Sequence, residues 1–272
     1  MAPSSEILAS AQPDPEFLEA CALPHQNPPP LPTNVDIPTL RATSNKHKNE
    51  ARDALGGPPP SLTERDIEIP VRDGSTILAY IAQNATQVHP SASPSVGLII
   101  GGTSAGANIA NGVVYLNRDL GSPAKVTGQF LGVGPLLPPP FVPEKYKDDY
   151  VSHEQNKDVT IPPEEVARAF VAAYKPDPTS PIAVPAVHPS GHSGIPPTYF
   201  QVCGLDGLRD ESIIYERILQ DDMISTRLDL YPGLPHHFWE FFPQLTKQVE
   251  KRTNDTVEGI RWLLHGPKVP KL

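Results

Sequence analysis

The sequence predicts an α/β domain in which a mostly parallel sheet carries helices on both faces. Short apolar segments of strand length, such as 95–101 and 198–205, alternate with longer amphipathic segments such as 105–119. Strands that are apolar throughout are typical of parallel sheets buried on both faces, and alternation of strands with helices is typical of the α/β class. The 272 residues suffice for one such domain or for two small ones.

The first sixty residues are predicted to form an N-terminal arm outside the sheet. Proline is concentrated here and in 135–143 and 176–197, and it fits neither a helix interior nor a central strand. Within the arm we expect short helices at 16–22 and 37–42.

A β-hairpin is expected immediately after the arm. Residues 64–71 alternate between polar and apolar side chains, which predicts a strand. Asp73 and Gly74 then form the centre of a tight turn, and 76–82 is the return strand.

The rest of the chain alternates between strands and helices. A helix is expected at 162–174, because its first turn contains prolines and two glutamates. The other expected elements are strands at 95–101, 126–133, 198–205 and 226–231 and helices at 105–119, 210–221 and 245–264.

Composition excludes several classes of partner and location. The formal net charge of −9 argues against nucleic acid or an anionic membrane as the main partner, since both need a basic face. No apolar run is long enough to span a membrane, and the N-terminus lacks the pattern of a secretory signal. We therefore expect a cytoplasmic protein without membrane insertion, in which Cys21 and Cys203 are reduced thiols.

The segment Gly102-Thr103-Ser104-Ala105-Gly106 has the pattern G-x-S-x-G and joins a predicted strand to a predicted helix. That setting is typical of a nucleophile elbow, a tight turn that exposes a serine at a strained backbone angle. Small flanking residues suit such a turn. Ser104 is therefore the candidate nucleophile, and a helix N-cap without chemistry is the alternative.

A serine hydroxyl needs a base, and the base needs an acid that orients it. Asp206 follows the strand at 198–205, and His236 lies in the loop after the strand at 226–231. Both positions fall at the carboxyl edge of the sheet, as Ser104 does, and the chain order Ser–Asp–His is that of serine hydrolases with this topology.

Three segments carry a family resemblance: GTSAGAN (102–108), GLDGLRDE (204–211) and YPGLPHHFW (231–239). They resemble the hormone-sensitive-lipase-like esterases, the α/β-hydrolase fold-3 family. The resemblance implies an α/β-hydrolase fold and a carboxylesterase with Ser104 as nucleophile, Asp206 as acid and His236 as base. It also implies that the Ala105 N–H is an oxyanion donor and that the substrate is a small to medium apolar ester, such as one of a secondary metabolite. The sequence has no metal-ligand cluster, phosphate loop or dinucleotide fingerprint, so we expect no cofactor or metal.

Some assignments have rivals in the sequence. Asp210 is an alternative acid, although its position suits a helix cap, and His237 is an alternative base that stands where the family usually has glycine. Cys203 lies inside an apolar strand and is predicted to be a buried core residue rather than a nucleophile. Arg209 is expected to pair with nearby carboxylates.

The family places an H-G-G-G oxyanion loop, two central strands and a helix where this chain has only residues 83–94, so we expect the two central strands to be missing. Losing one oxyanion donor costs about 10²–10³ in rate. A gene model that skips coding sequence, an enzyme with a rebuilt oxyanion hole, and a weakly active or non-catalytic ligand-binding relative are the three explanations left open.

The resemblance also implies a domain organisation. The core comprises 61–134 and 191–272, while the arm at 1–60 and an insert at 135–190 form a cap. The assembly is left open between a monomer and a homodimer. Aromatic residues of the cap either line an apolar substrate pocket or only pack the cap on the core; they are Phe17, Phe141, Tyr146, Phe170 and Tyr174.

Overall fold

The structure is a computed structural model, and it describes residues 5–22, 38–39, 42–43, 45–46, 49–50, 90–122, 124–159, 161, 163–177 and 179–266. The predicted hairpin of 64–82 lies outside the described residues. So does part of the predicted helix at 37–42.

Four parallel strands form one sheet in the described part of the chain, in the order β1-β2-β3-β4. The prediction of an α/β fold with a parallel sheet is therefore confirmed. The strands are β1 (Leu98–Thr103), β2 (Val126–Gly132), β3 (Thr198–Leu205) and β4 (Thr226–Pro235).

Pairing of the strands aligns their carboxyl ends. Thr103 at the end of β1 pairs with Gly132 of β2, and Gly132 pairs with Gln201 of β3. Leu205 at the end of β3 pairs with Pro235 at the end of β4. The segments that follow β1, β3 and β4 therefore leave the sheet at the same edge, which is the edge that binds ligands in open α/β sheets.

The longer helices agree closely with the predicted ones. Between β1 and β2 the helix begins and ends at the predicted residues, and four others differ from prediction by one or two residues at an end. Three short helices, at Ser5–Ala9, Ser152–Gln155 and Phe238–Phe241, were not predicted. The helices are α1 (Ser5–Ala9), α2 (Pro15–Ala22), α3 (Ala105–Asp119), α4 (Ser152–Gln155), α5 (Glu164–Tyr174), α6 (Arg209–Asp221), α7 (Phe238–Phe241) and α8 (Thr246–His265).

Apolar side chains cover both faces of the sheet. On one face, Phe200 of β3 belongs to a buried cluster with Ala107 of α3 and Ile214 of α6. On the other face, Cys203 of β3 belongs to a second cluster, which includes Phe17 of α2. Alternate residues of β3 thus face opposite layers, and all eight residues of this strand are buried.

The chain divides into two compact units. The sheet unit comprises 1–29, 71–161 and 176–272, and the smaller unit comprises 30–70 and 162–175 and contains α5. The predicted division into arm, core and cap insert stays a prediction.

Candidate active site

Ser104 lies in the turn between β1 and α3, as the sequence predicts. Its backbone has φ 54° and ψ −125°, a conformation that residues other than glycine rarely adopt and that costs on the order of 1–3 kcal/mol. The Ser104 N–H donates to the Gly132 carbonyl at 2.8 Å, which fixes the turn against the end of β2. The strained turn leaves the Ser104 side chain half-buried at the carboxyl edge of the sheet.

Gly102 is the small residue that the turn requires. A Cβ at Gly102 would collide with the backbone of Gly106, because the start of α3 folds back onto the end of β1. A Cβ at Gly106 would meet no atom within 4 Å among the described residues. The packing of the turn therefore explains the first glycine of the motif and not the second.

Ser104, His236 and Asp206 are joined by a chain of hydrogen bonds. His236 Nε2 lies 3.0 Å from Ser104 Oγ, and His236 Nδ1 lies 2.7 Å from Asp206 Oδ2. Asp206 and His236 are only 2% and 4% exposed. The other carboxylate oxygen of Asp206 accepts the Leu208 N–H at 2.9 Å, so both oxygens have a partner. In this geometry an imidazole can take a proton from a serine while a buried carboxylate holds its ring.

Asp210, the alternative acid, is occupied elsewhere. Its Oδ2 accepts the backbone N–H groups of Val151 and Ser152 at 2.8 and 2.6 Å. Arg209, which is fully buried, donates its Nε to Asp210 Oδ1 at 2.7 Å, so Arg209 pairs with a local carboxylate as expected. Through these contacts Asp210 holds the backbone of 151–152 and balances the charge of the buried Arg209.

His237, the alternative base, stacks on His236 and hydrogen-bonds Glu240. The two imidazole rings stack with centroids 4.9 Å apart. His237 has φ 53°, and its Nδ1 lies 3.1 Å from Glu240 Oε2. The geometry therefore places His236, and not His237, against the hydroxyl of Ser104.

Ala105 is the first residue of α3 and is exposed at the mouth of the turn. The N–H groups of the first helical turn have no acceptor within their own helix, and the helix dipole makes this end electropositive. The Ala105 N–H is thus suited to a developing oxyanion. The interval 83–94, where the family has its glycine loop, lies for the most part outside the described residues, so the loss of that loop stays a prediction.

Cys203 is fully buried in β3, as expected for a core residue. Burial raises the pKa of its thiol well above the usual value, which disfavours the reactive thiolate. Cys21, by contrast, is exposed.

Three of the cap aromatic residues pack on the core of the sheet unit. Phe17 meets Phe242 edge-on with ring centroids 5.1 Å apart. Phe141 and Tyr146 are half-buried against the cluster around α6, and the Tyr146 hydroxyl donates to Asp221 at 2.9 Å. In the smaller unit, Phe170 and Tyr174 are exposed. For the first three residues, packing on the core accounts for the apolar side chain without a substrate pocket.

Asn156 and Ser152 contact the loop that carries Asp206, and sequence reasoning missed both residues. Both are fully buried. Asn156 Nδ2 donates to the Asp206 carbonyl at 2.9 Å, and Ser152 Oγ donates to the Gly207 carbonyl at 2.7 Å. No motif marks either residue, because each lies about fifty positions before its partner in a segment predicted only as part of the cap.

Similarity to known proteins agrees with this fold. A family model described as the alpha/beta hydrolase fold matches residues 63–240. The chain belongs to the hormone-sensitive-lipase-like α/β hydrolases. The crystal structure of vibralactone cyclase superimposes on this α/β hydrolase with a TM-score of 0.78 over 97% of each chain, at 23% sequence identity. That likeness shows the fold alone.

Two curated relatives are similar to this α/β hydrolase at about 30% identity. An AB hydrolase superfamily protein of Schizosaccharomyces pombe is 32% identical over 201 residues, which cover 74% of this chain and 58% of the relative. The versiconal hemiacetal acetate esterase of Dothistroma septosporum is 31% identical over 203 residues, which cover 72% of this chain and 59% of the relative. The chain thus spans a little over half the length of these relatives.

Among the described residues, no group of three or more His, Cys, Asp or Glu side chains could hold a metal ion. The helices described here include none with the length and apolar character needed to cross a bilayer.

Proposed function

We propose that this α/β hydrolase is a serine carboxylic ester hydrolase that acts on a small to medium apolar ester. The observation that carries the proposal is the hydrogen-bond chain from Ser104 through His236 to Asp206. Each of its three members has the chemical role that acyl transfer requires: a nucleophile, a base and an acid that orients the base.

The proposed reaction proceeds in two steps. His236 Nε2 removes the proton of Ser104 as its Oγ attacks the ester carbonyl carbon, and the Ala105 N–H stabilises the oxyanion. The tetrahedral intermediate collapses to an acyl-serine, and His236 gives its proton to the leaving alcohol. Water then attacks the acyl-serine with His236 as base, which releases the acid. Asp206 holds the Nδ1–H tautomer and stabilises the imidazolium.

Similarity to an esterase supports the choice of ester bond. The relative from Dothistroma septosporum is named for a hemiacetal acetate, which is an acetyl ester. We therefore infer that short acyl groups are accepted, and that an ester of a secondary metabolite is the natural substrate class.

The test is steady-state hydrolysis of p-nitrophenyl acetate by the whole chain and by Ser104→Ala. We expect the wild type to turn over and Ser104→Ala to be slower by on the order of 10⁴-fold or more. Circular dichroism checks that both proteins are folded. Equal rates for the two folded proteins would refute the proposal.

A ligand-binding protein on a hydrolase scaffold is the second candidate, and the lack of an H-G-G-G sequence before β1 favours it. An active-site-directed phosphonate separates the two. Labelling at Ser104 requires an activated hydroxyl and supports the hydrolase. A folded chain that binds an apolar ester but resists the phosphonate supports the binding protein.

A further inference from the structure

The segment 151–156, which includes α4, holds the loop 204–210 through a set of buried hydrogen bonds. Asp210 Oδ2 accepts two backbone N–H groups at the start of the segment. Ser152 Oγ donates to the Gly207 carbonyl at 2.7 Å and accepts the Asp210 N–H at 3.2 Å. The loop that carries Asp206 is therefore fixed by residues about fifty positions earlier in the chain.

Asn156 makes the contact nearest to Asp206. Its Nδ2 donates to the Asp206 carbonyl at 2.9 Å and to the Gly204 carbonyl at 3.2 Å. Because both partners are carbonyl oxygens, the side chain must present its NH₂ group, whose two hydrogens serve two acceptors. One fully buried side chain thus spans the point where β3 ends and the loop begins.

We propose that Asn156 is a positioning residue for Asp206 in the ester hydrolysis proposed above, on which this inference rests. Asn156 fixes the backbone of Asp206 from one side, while Asp206 Oδ1 accepts the Leu208 N–H from the other. With its backbone and one oxygen held, Asp206 directs its remaining oxygen at His236 Nδ1 at 2.7 Å.

Arg209 is a second donor to both carbonyls: its N–H lies 3.2 Å from the Asp206 carbonyl oxygen, and its Nη1 lies 3.3 Å from that of Gly204. Loss of Asn156 removes the shorter hydrogen bond of each carbonyl and leaves the longer one, so we expect the turn to shift to regain hydrogen bonds. A displacement of about 1 Å in a catalytic group can cost on the order of 10² in rate. Because Asp206 contacts His236 and not the substrate, the loss falls on kcat and leaves KM close to its wild-type value.

The experiment compares Asn156→Leu, which keeps the branched shape without a donor, with two controls. Gln201→Ala removes another fully buried amide, whose Nε2 donates to the hydroxyls of Tyr199 and Thr256 at 2.8 Å. Gln155→Ala changes the exposed neighbour on α4, which donates to the Leu8 carbonyl at 3.1 Å.

We expect Asn156→Leu to lower kcat for p-nitrophenyl acetate by about 10- to 100-fold with little change in KM. Both controls should keep kcat within about threefold of the wild type. A folded Asn156→Leu with wild-type kcat, or a loss that Gln201→Ala matches, would overturn the proposal. If Asn156→Leu does not fold, Asn156→Ser, whose hydroxyl can serve one carbonyl, is measured in its place with the same criteria.

A second readout does not depend on turnover. The proton between His236 Nδ1 and Asp206 gives a downfield resonance in the NMR spectrum when that bond is short. We expect this resonance in the wild type and in Gln201→Ala, and its loss or upfield shift in the Asn156 variant. An unchanged resonance would contradict a positioning role. If instead the wild type equals Ser104→Ala in the ester assay, the proposed function fails while this spectrum still tests Asn156.

Discussion

His236 Nδ1 lies 2.7 Å from Asp206 Oδ2, and both side chains are almost completely removed from solvent. A carboxylate that is buried against an imidazole selects one tautomer and stabilises the imidazolium once it forms. The neighbouring Asp210 is equally buried but bonds the backbone of 151–152 and Arg209. Replacing Asp206 is therefore expected to affect activity, and replacing Asp210 is expected to affect stability.

We predict that Asp206→Asn lowers kcat by on the order of 10⁴-fold while the protein stays folded, because the amide favours the wrong tautomer of His236. Asp210→Asn should instead lower the free energy of unfolding by about 3–5 kcal/mol, since it leaves the buried Arg209 without its countercharge. Urea denaturation and ester hydrolysis distinguish the two effects. A reversed pattern would make Asp210 the acid.

The two histidines provide a matched pair. His236→Ala should lose as much activity as Ser104→Ala, and the double variant should lose no more, because the residues act as one unit. His237→Gly should keep kcat within about tenfold, since His237 Nδ1 bonds Glu240 and glycine suits the φ of 53° at this position. Kinetics of the four variants against p-nitrophenyl acetate check this. A greater loss in His237→Gly than in His236→Ala would contradict the assignment.

Gly102 and Gly106, the two glycines of the turn, should differ in how well they tolerate substitution by alanine. Gly102→Ala forces a Cβ into the backbone of Gly106 and is expected to cost at least about 1–3 kcal/mol of stability. Gly106→Ala places its Cβ in open space within α3, where alanine favours the helix, and should be neutral or stabilising by up to about 1 kcal/mol. Urea midpoints of the two variants test the difference, and equal midpoints would show that the turn adapts.

We predict that His192 makes the stability of the protein dependent on pH. Burial lowers its pKa below 6.5, with Arg118 and His188 adding repulsion and Asp222 partly opposing them. The unfolded chain, with its ordinary pKa of about 6.5 at this histidine, therefore binds a proton more tightly than the folded protein does. Protonation of His192 costs no folding stability above about pH 6.5, and the free energy of unfolding falls as the pH drops from there towards the pKa of His192 in the folded protein.

The check is urea denaturation of the wild type and His192→Gln at about pH 7.5 and about pH 5.5. Glutamine keeps a polar group near the Tyr115 hydroxyl and does not titrate. The wild type should lose more stability between the two pH values than the variant. His153, whose pKa is raised chiefly by its bond to Glu211, acts in the opposite sense in both proteins and cancels in the comparison.

Much of the sheet was predictable from local pattern, but its strand ends were not. The prediction ended β1 at Gly101, whereas the strand continues to Thr103 because Gly102 pairs with Leu131 of β2. Similarly, β4 runs past Pro232 to Pro235. A proline is tolerated there because β4 lies at one edge of the described sheet.

For the candidate site, the sequence predicted the residue types and left their orientation open. Ser104, Asp206 and His236 follow strands whose carboxyl ends meet, so their proximity follows from topology. The family resemblance favoured His236 over His237, and the φ of 53° at His237 suits the glycine that the family usually has there. The role proposed for Asn156 depends on a contact between distant segments, which leaves no pattern in the amino-acid sequence.

Ser104 and His236 hydrogen-bond across 132 positions of the chain. Their contact needs β1, β3 and β4 to be in register, with β2 between the first two. Contacts of such sequence separation form slowly, because closing a long loop precedes any gain from the contact. During refolding, labelling of Ser104 by a phosphonate would therefore return later than helical circular dichroism, which makes the nucleophile a reporter of the last step of assembly.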